Sequence, residues 1–379
     1  MAEKNQPNDQ SPEYVVQTAG KYNFVETVLG QILVNRVFLH LYVMPLYFVT
    51  GANGFLGSYI VKSLLTKGMK VRALKRRNAD LSLLGDFASQ IDWREGDLLD
   101  YDALEDALEG VDYVIHSAAK ITFVRKEVAE MMEVNVKGTE FVVNACLFQK
   151  VKKLIYVSSI SAFGRSRTTE KIDEQFGWLD DGENSWYSRS KQYGEREVWR
   201  GIEEGLPATI VCPGTIFGGG NWDFPPLSII RSVDRRLPFY TEGINGFVDV
   251  RDCTEIILRL VEENKVGEKY ILVSENLPFR EVMFTIADEL GVPRPRFRLH
   301  PFVAQIAILG DVIRTSLTGG KRLLTRETVR MANLRFQYSN EKVCRELNYR
   351  FIPFHQTLKD TVKCYLESQK KGKTFGTFH

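Results

Sequence analysis

From Leu46 onward the chain alternates between short apolar runs and stretches in which apolar residues recur every three or four positions. The runs Leu46 to Thr50, Lys70 to Leu74, Ile91 to Arg94, Tyr113 to His116, Leu154 to Ser158 and Ala208 to Cys212 read as strands. Between them, Phe55 to Lys67, Tyr101 to Glu109, Val128 to Gln149 and Trp186 to Glu204 have helical periodicity. Strands separated by helices predict a parallel, doubly wound α/β sheet. After Pro213 the rhythm changes to loops punctuated by Gly and Pro, with helical segments at Asp252 to Glu263, Arg280 to Leu290, Val303 to Thr315 and Phe354 to Glu367. This predicts a smaller, mostly helical C-terminal lobe. The expected organisation is an extension over 1–43, a sheet domain over 44–212, the lobe over 213–370 with some segments returning to the sheet, and a tail over 371–379.

The balance of charge narrows the partners. With 50 basic and 48 acidic residues the formal net charge is +2, which offers no field for nucleic acid or an anionic membrane and points to a small-molecule substrate. Cys146, Cys212, Cys253, Cys344 and Cys364 are scattered without the CxxC spacing of a zinc or redox site, and no two of the five histidines stand at metal-ligand spacing. No metal is expected. Met1 to Ser11 is polar and lacks a signal-peptide pattern, so the expected location is cytoplasmic. The apolar run from Gln31 to Val49 is interrupted by Asn35, Arg36, His40 and Pro45; its end reads as a buried strand rather than part of a membrane span. Because Met44 immediately precedes that strand, residues 1–43 read either as an extension or as lying upstream of the true start.

Candidate chemistry begins at the first strand-to-helix turn, Thr50-Gly51-Ala52-Asn53-Gly54-Phe55-Leu56-Gly57. Glycines there permit a tight turn and let backbone N–H groups approach a pyrophosphate, while the following helix N-terminus supplies positive potential. Gly57 is followed by Ser58 and not by the Lys of a P-loop, which disfavours ATP. The pattern is that of a Rossmann NAD(P)-binding domain, with Gly51, Asn53, Gly54, Phe55, Leu56 and Gly57 as the dinucleotide cradle. The second strand ends in Arg76 and Arg77, where NAD-selective sheets often place an acid on the ribose 2′-hydroxyl. Guanidinium groups match a 2′-phosphate, so NADP is favoured over NAD, Arg76 ahead of Arg77. Asp97 and Leu98 are candidates for the adenine, and the small residues Ser117, Ala118 and Ala119 for the pyrophosphate and ribose.

Tyr187 and Lys191 stand four residues apart, on one helix face. A neighbouring ammonium stabilises phenolate and draws a tyrosine, ordinarily near pKa 10, toward neutrality. Tyr187 is then suited to give or take a proton while a nicotinamide moves hydride. Ser159, at a strand end, can hold the substrate oxygen beside it, with Ser158 turned toward structure.

These segments together resemble an extended short-chain dehydrogenase/reductase of the epimerase/dehydratase type, the group containing nucleotide-sugar epimerases, dihydroflavonol-reductase-like enzymes and 3β-hydroxysteroid dehydrogenases. The resemblance runs from about Leu46 to Glu367 and rests on TGANGFLG, GDLLD (96–100), VIHSAA (114–119), NVKGT (135–139), VSSISAFG (157–164), YSRSK (187–191) and PGTIFGGG from Pro213. It implies that Ser159, Tyr187 and Lys191 form the catalytic triad. It also implies that Asn135 steadies a water relay to the lysine, with helix packing an equal reading, and that Pro213, Gly214 and Thr215 lie beside the nicotinamide. Val248 to Asp252 resembles the stretch that returns the chain to the substrate cleft, and the helices around Val128 and Trp186 can form a homodimer face.

Within that group, dehydratases follow the catalytic hydroxyl with Asp-Glu where this chain has Ile160-Ser161, and some UDP-sugar epimerases carry Asn where it has Cys212. The expected function is therefore an NAD(P)-dependent oxidoreductase acting on a carbonyl or secondary alcohol. The alternatives are an epimerase with tightly held NAD and a dinucleotide-binding regulator without catalysis, the latter disfavoured because Ser159, Tyr187 and Lys191 are all present. Trp222, Phe224, Phe239, Tyr240 and Phe247 read either as pocket or as core, and Arg231, Arg235 and Arg236 either as phosphate ligands or as a solvated face.

Overall fold

The apolar runs lie side by side in one parallel sheet. The computed structural model describes residues 44–164, 171–179, 184–300, 303–305, 329–330 and 332–377. In chain order the strands are β1 (Leu46–Thr50), β2 (Lys70–Lys75), β3 (Asp92–Glu95), β4 (Tyr113–His116), β5 (Lys153–Val157) and β6 (Ala208–Pro213). They continue as β7 (Thr215–Phe217), β8 (Phe239–Tyr240), β9 (Ile244–Asp249), β10 (Glu268–Leu272), β11 (Glu275–Pro278) and β12 (Phe297–Arg298). The chain divides into two units, Met1–Met44 and Pro45–His379, and everything below concerns the second. The expectations for residues 1–43, and for the helix at Val303 to Thr315 beyond its first turn, lie outside the described residues.

Seven strands pair in parallel in the order β10-β6-β5-β4-β1-β2-β3. Side chains alternate between two cores, as strand geometry requires. Tyr47 and Val49 face one core and Phe48 the other; Ile155 and Val157 face one, Leu154 and Tyr156 the other. Helices α1 (Phe55–Thr66), α2 (Tyr101–Leu108), α3 (Val128–Met132), α4 (Gly138–Gln149) and α5 (Trp186–Glu203) follow the strands. From β1 the chain winds outward through β2 and β3, then crosses to β4 on the other side of β1. That reversal opens a crevice beyond the carboxyl ends of β1 and β4.

The structure departs from the sequence pattern in three places. The helix expected over Val128 to Gln149 is interrupted by a π turn at Glu133–Lys137. A π turn accommodates one extra residue and re-aims the side chains around it; here it brings Asn135 into contact with α5 and with the loop after β4. The edge strand β10 was not expected, because Glu268 and Lys269 open a short segment that pairs on one side only. The lobe is also less purely helical than the pattern implies. Among the described residues it adds the β11-β9-β7 sheet and the β12-β8 pair to α6 (Ser228–Asp234), α7 (Val250–Glu262), α8 (Phe279–Leu290), α9 (Glu341–Glu346) and α10 (Phe354–Lys370). It has its own core around Phe217, Trp222, Phe247 and Phe354.

Past α10, Lys371 and Lys373 are exposed, as a solvated tail should be, but the next residues dock. The Trp222 N–H donates to Thr374 O at 3.1 Å and the Gly376 N–H to Gly220 O at 3.0 Å. Gly220 in turn lies against Phe55, so the docked tail backs the first turn of α1. All five cysteines are free.

Close approach of α5 to the π turn depends on Gly194. A Cβ there would stand 2.9 Å from the Asn135 carbonyl oxygen and would collide with the Tyr156 hydroxyl. Gly194→Ala is expected to lower the urea midpoint, costing about 1–3 kcal/mol through overpacking despite the better helix propensity of Ala. An unchanged midpoint would show that α5 can move away without cost.

Candidate active site

The crevice is a cleft of about 1480 Å³. Its floor is the turn after β1, where Gly51 has φ +69° and its Cα faces the backbone of the β4 loop so closely that a Cβ would lie 2.8 Å from Ala118 N and Cα. A Cβ on Gly57 would collide with the Gly51 carbonyl oxygen. Gly54 N donates to Gly51 O at 2.9 Å and caps α1, whose first turn holds no acidic residue and whose N-cap makes no side-chain hydrogen bond. The helix therefore presents free N–H groups and its positive end to the cleft, which fits a pyrophosphate.

A buried histidine stitches this floor together. The Thr50 hydroxyl lies 2.7 Å from His116 Nδ1, and His116 Nε2 lies 3.1 Å from Thr139 Oγ1, which donates to Asn135 O at 2.7 Å. That chain of donors assigns the proton to Nε2, so Nδ1 accepts from Thr50, which itself accepts from Ala118 N at 3.2 Å. Burial, reinforced by the Lys191 charge, pushes the His116 pKa down to about 3.

At the end of β2, Arg76 and Arg77 line the cleft. Arg77 is exposed and 3.5 Å from Glu95, whereas Arg76 has no ion-pair partner among the described residues. Asn53 reaches across to Asp80 O at 3.2 Å and ties the turn to the loop after the arginines. The Asp97 carboxylate accepts from Leu99 N at 3.1 Å, and Leu98 packs beneath Gly138, where a Cβ would stand 3.2 Å away. Ser117, Ala118, Ala119, Pro213 and Thr215 line the cleft as well, so every dinucleotide candidate named from the sequence faces one cavity.

Tyr187, Lys191 and Ser159 face the same cavity. Ser185 caps α5 by accepting from Ser188 N at 2.9 Å, which sets Tyr187 in the first turn and Lys191 one turn on. Lys191 is buried, donates to Val157 O at 2.8 Å and sits 4.9 Å over the Tyr156 ring. Burial pushes its pKa down to about 8, with Glu195 opposing the shift. Tyr187 is half-buried, its ring edge-on to Phe123 at 6.3 Å. Ser159 caps the short helical turn Ile160–Phe163, its Oγ accepting from Ser161 N at 3.1 Å. The Ser158 hydroxyl donates to Glu195 Oε1 at 2.5 Å, a structural commitment.

Asn135 does not line the cleft. Its amide nitrogen donates to Lys120 O at 2.9 Å and Ser190 Oγ at 3.0 Å, and its oxygen accepts from Lys120 N at 2.8 Å. It thereby clamps the β4 loop to α5. Sequence reasoning named neither His116 nor the walls Ile121, Phe123, Ile216, Ile244 and Phe279. Of the five lobe aromatics only Phe224 lines the cleft; Trp222 and Phe247 are fully buried core. Arg231 pairs with Asp223, and neither it nor Arg235 or Arg236 reaches the cleft. In the stretch from Val248 to Asp252, Asp249 and Arg251 form an ion pair that continues to Asp360, while Ile244 and Asn245 just before it face the cavity.

A family model described as the NAD dependent epimerase/dehydratase family matches residues 47–273. Sterol demethylase protein B of Methylococcus capsulatus is 31% identical over 287 residues, which is 74% of this chain and 84% of that protein. Cinnamoyl-CoA reductase 1 of Petunia hybrida is 27% identical across 86% of this chain and 92% of its own. Among solved structures, gox2253 superposes with a TM-score of 0.72 at 30% identity, covering 86% of this chain and 99% of that one. The UDP-glucose 4-epimerase of Thermotoga maritima has a TM-score of 0.70 over 86% of this chain and 99% of its own; at 17% identity it speaks for the fold alone.

The buried histidine generates a pH dependence. Its folded pKa of about 3 lies below the ordinary 6.5, so the unfolded chain takes the proton first and stability is lost as the pH falls from about 6.5 toward 3. At pH 5 the loss is about 2 kcal/mol. Asp252, pushed up to about 6 by burial, works in the opposite sense and is present with or without the histidine. Thermal unfolding should therefore show a steeper drop in midpoint from pH 7.5 to 5 in the native protein than in His116→Gln; parallel profiles would refute the assignment.

Proposed function

The chain belongs to the NAD dependent epimerase/dehydratase family, and from that premise we propose that it is an NADP(H)-dependent reductase or dehydrogenase acting on a carbonyl, or its secondary alcohol, in an uncharged and largely apolar small molecule. One observation carries the substrate half of this reading. Among the described residues, every arginine lining the cleft stands at the end of β2; beyond Tyr187 the walls include Ile121, Phe123, Ile216, Phe224, Ile244 and Phe279, with Asn245 and the carboxylates Glu127 and Glu130 beside them. Lys120, the one ammonium on that side among the described residues, is held by Glu130. A sugar-nucleotide diphosphate would find no guanidinium at that end among the described residues, whereas an apolar ring system would desolvate against the aliphatic and aromatic side chains there. The sterol named for the Methylococcus capsulatus relative is a compound of that kind.

The cofactor half rests on the glycine cradle and the arginines. The turn after β1 offers glycines that let backbone N–H groups approach a pyrophosphate, and Arg76, without an ion-pair partner among the described residues, offers its guanidinium to a 2′-phosphate. When bound, the nicotinamide supplies or accepts the hydride. Tyr187 gives its phenolic proton to the substrate oxygen in reduction and recovers it in oxidation. Lys191, anchored on Val157 O, places its charge one turn from the phenol and stabilises phenolate. Ser159 holds the same oxygen. Apolar walls exclude water and strengthen these interactions.

Two outcomes test the reading. In fluorescence titrations the native protein should bind NADPH more tightly than NADH, and Arg76→Ala should lose about tenfold or more in NADPH affinity while NADH is unaffected. Tyr187→Phe should lose about 10²–10⁴-fold in kcat with dinucleotide affinity retained. A protein that keeps NAD through purification and interconverts a nucleotide sugar without net change in nicotinamide absorbance would make epimerisation the correct function.

A further inference from the structure

Behind the cleft lies a buried polar cluster that the proposed chemistry does not use, centred on Glu195. Its carboxylate joins four elements. On α5 it stands one turn beyond Lys191; just past β5 it accepts the Ser158 hydroxyl at 2.5 Å; from β10 it meets the Lys269 ammonium at 2.7 Å; and Cys212 Sγ of β6 lies at 3.5 Å. Glu195 and Lys269 are both largely buried, and the Lys269 ammonium caps the Phe163 ring at 3.8 Å. Two hydrogen bonds link this cluster to the reacting groups: the Lys191 ammonium donates to Val157 O, the Ser158 hydroxyl donates to Glu195, and Ser159 follows directly in the chain.

We propose that Glu195 is a positioning residue of the site, which keeps the Lys191 ammonium charged and fixes the Val157–Ser159 segment so that Ser159 faces Tyr187. This inference rests on the function proposed above.

Among the described residues, few other charges face this pair. From β4, His116 is neutral because burial pushes its pKa to about 3. From β5, Tyr156 is driven well above the ordinary tyrosine range, and from β6 burial raises the Cys212 thiol well above its usual value, so both stay neutral. Glu174, whose Oε1 accepts from Ile271 N at 2.9 Å, acts on Lys269 rather than on Lys191. Tyr187 stands one turn before Lys191 on the same helix. Glu195 is thus the carboxylate that offsets the burial of Lys191, and replacing it with a neutral amide removes that support.

The test uses the full chain and reads Lys191 without turnover. NADP⁺ and NADPH are titrated by fluorescence from pH 6 to 10 in the native protein and in Glu195→Gln. Loss of the lysine proton changes the affinity for the cationic nicotinamide form near pH 8 in the native protein, and in Glu195→Gln that change should move about one pH unit toward acid. The alkaline limb of kcat should move with it, while KM for the dinucleotide at neutral pH changes less than twofold. Should the single variant fail to fold because Lys269 is left buried and unpaired, Glu195→Gln combined with Lys269→Met removes both charges, and the shift should keep its sign. Ser158→Ala, which leaves every charge in place, should lower kcat without moving the limb. Superimposable pH profiles in native and Glu195 variants would overturn the inference; failure of the native protein to bind either dinucleotide would instead overturn the function it rests on.

Discussion

The site is governed by a close approach between two backbones. Where the turn after β1 passes the loop after β4, the chain has room for a hydrogen at Gly51 but none for a Cβ, and the Thr50 hydroxyl bonds both His116 and Ala118 N across the gap. Parallel strands that part company in winding direction leave a crevice at this point, and the contact fixes its width. Because His116 reaches on to Thr139 and so to Asn135, the same contact sets the position of the π turn, of α5 and of the Tyr187–Lys191 pair. Floor and reactive wall are therefore parts of one hydrogen-bonded unit.

The charged and amide groups buried around that unit have partners, while the Tyr156 hydroxyl beside them makes no hydrogen bond among the described residues. Lys191 has Val157 O. Glu195 has Ser158 and Lys269, and the Asn135 amide meets both halves of the Lys120 peptide group. An incomplete network of this kind would cost more than an apolar core. The bonds to Val157 O and Ser158 confine a lysine and the segment that carries Ser159 to one geometry, and the apolar residues beyond Tyr187 are left to shape the space for a substrate.

Much of this was legible in the sequence because it depends on local pattern. Six strands and the helices α1, α2 and α5 lie within a residue or two of where their pattern put them, since the buried parallel strands are continuous apolar runs; the edge strand β3, Asp92–Glu95, is largely exposed. The glycine turn and the Tyr187–Lys191 spacing could be read for the same reason: each is a short-range arrangement whose chemistry needs those residue types. What escaped notice depends on distant partners. Strand β10 takes its register only from β6. The π turn exists because Asn135 finds Lys120 and Ser190, which no helical periodicity encodes. His116 looks like one more residue of an apolar run until Thr50 and Thr139 are placed on either side of it. Trp222 and Phe247 belong to a core rather than a pocket, a distinction that composition alone does not make.

A cleft whose walls come from both halves of the sheet and from the lobe exists only in the folded chain. Any molecule that fills it binds the native state and not the unfolded one, and at a hundredfold excess over its dissociation constant contributes about 2.7 kcal/mol to stability. That is a large share of the 5–15 kcal/mol typical of a folded domain. The lifetime of the protein is then coupled to the supply of its ligand, so that a starved pool lowers the amount of folded protein as well as its saturation.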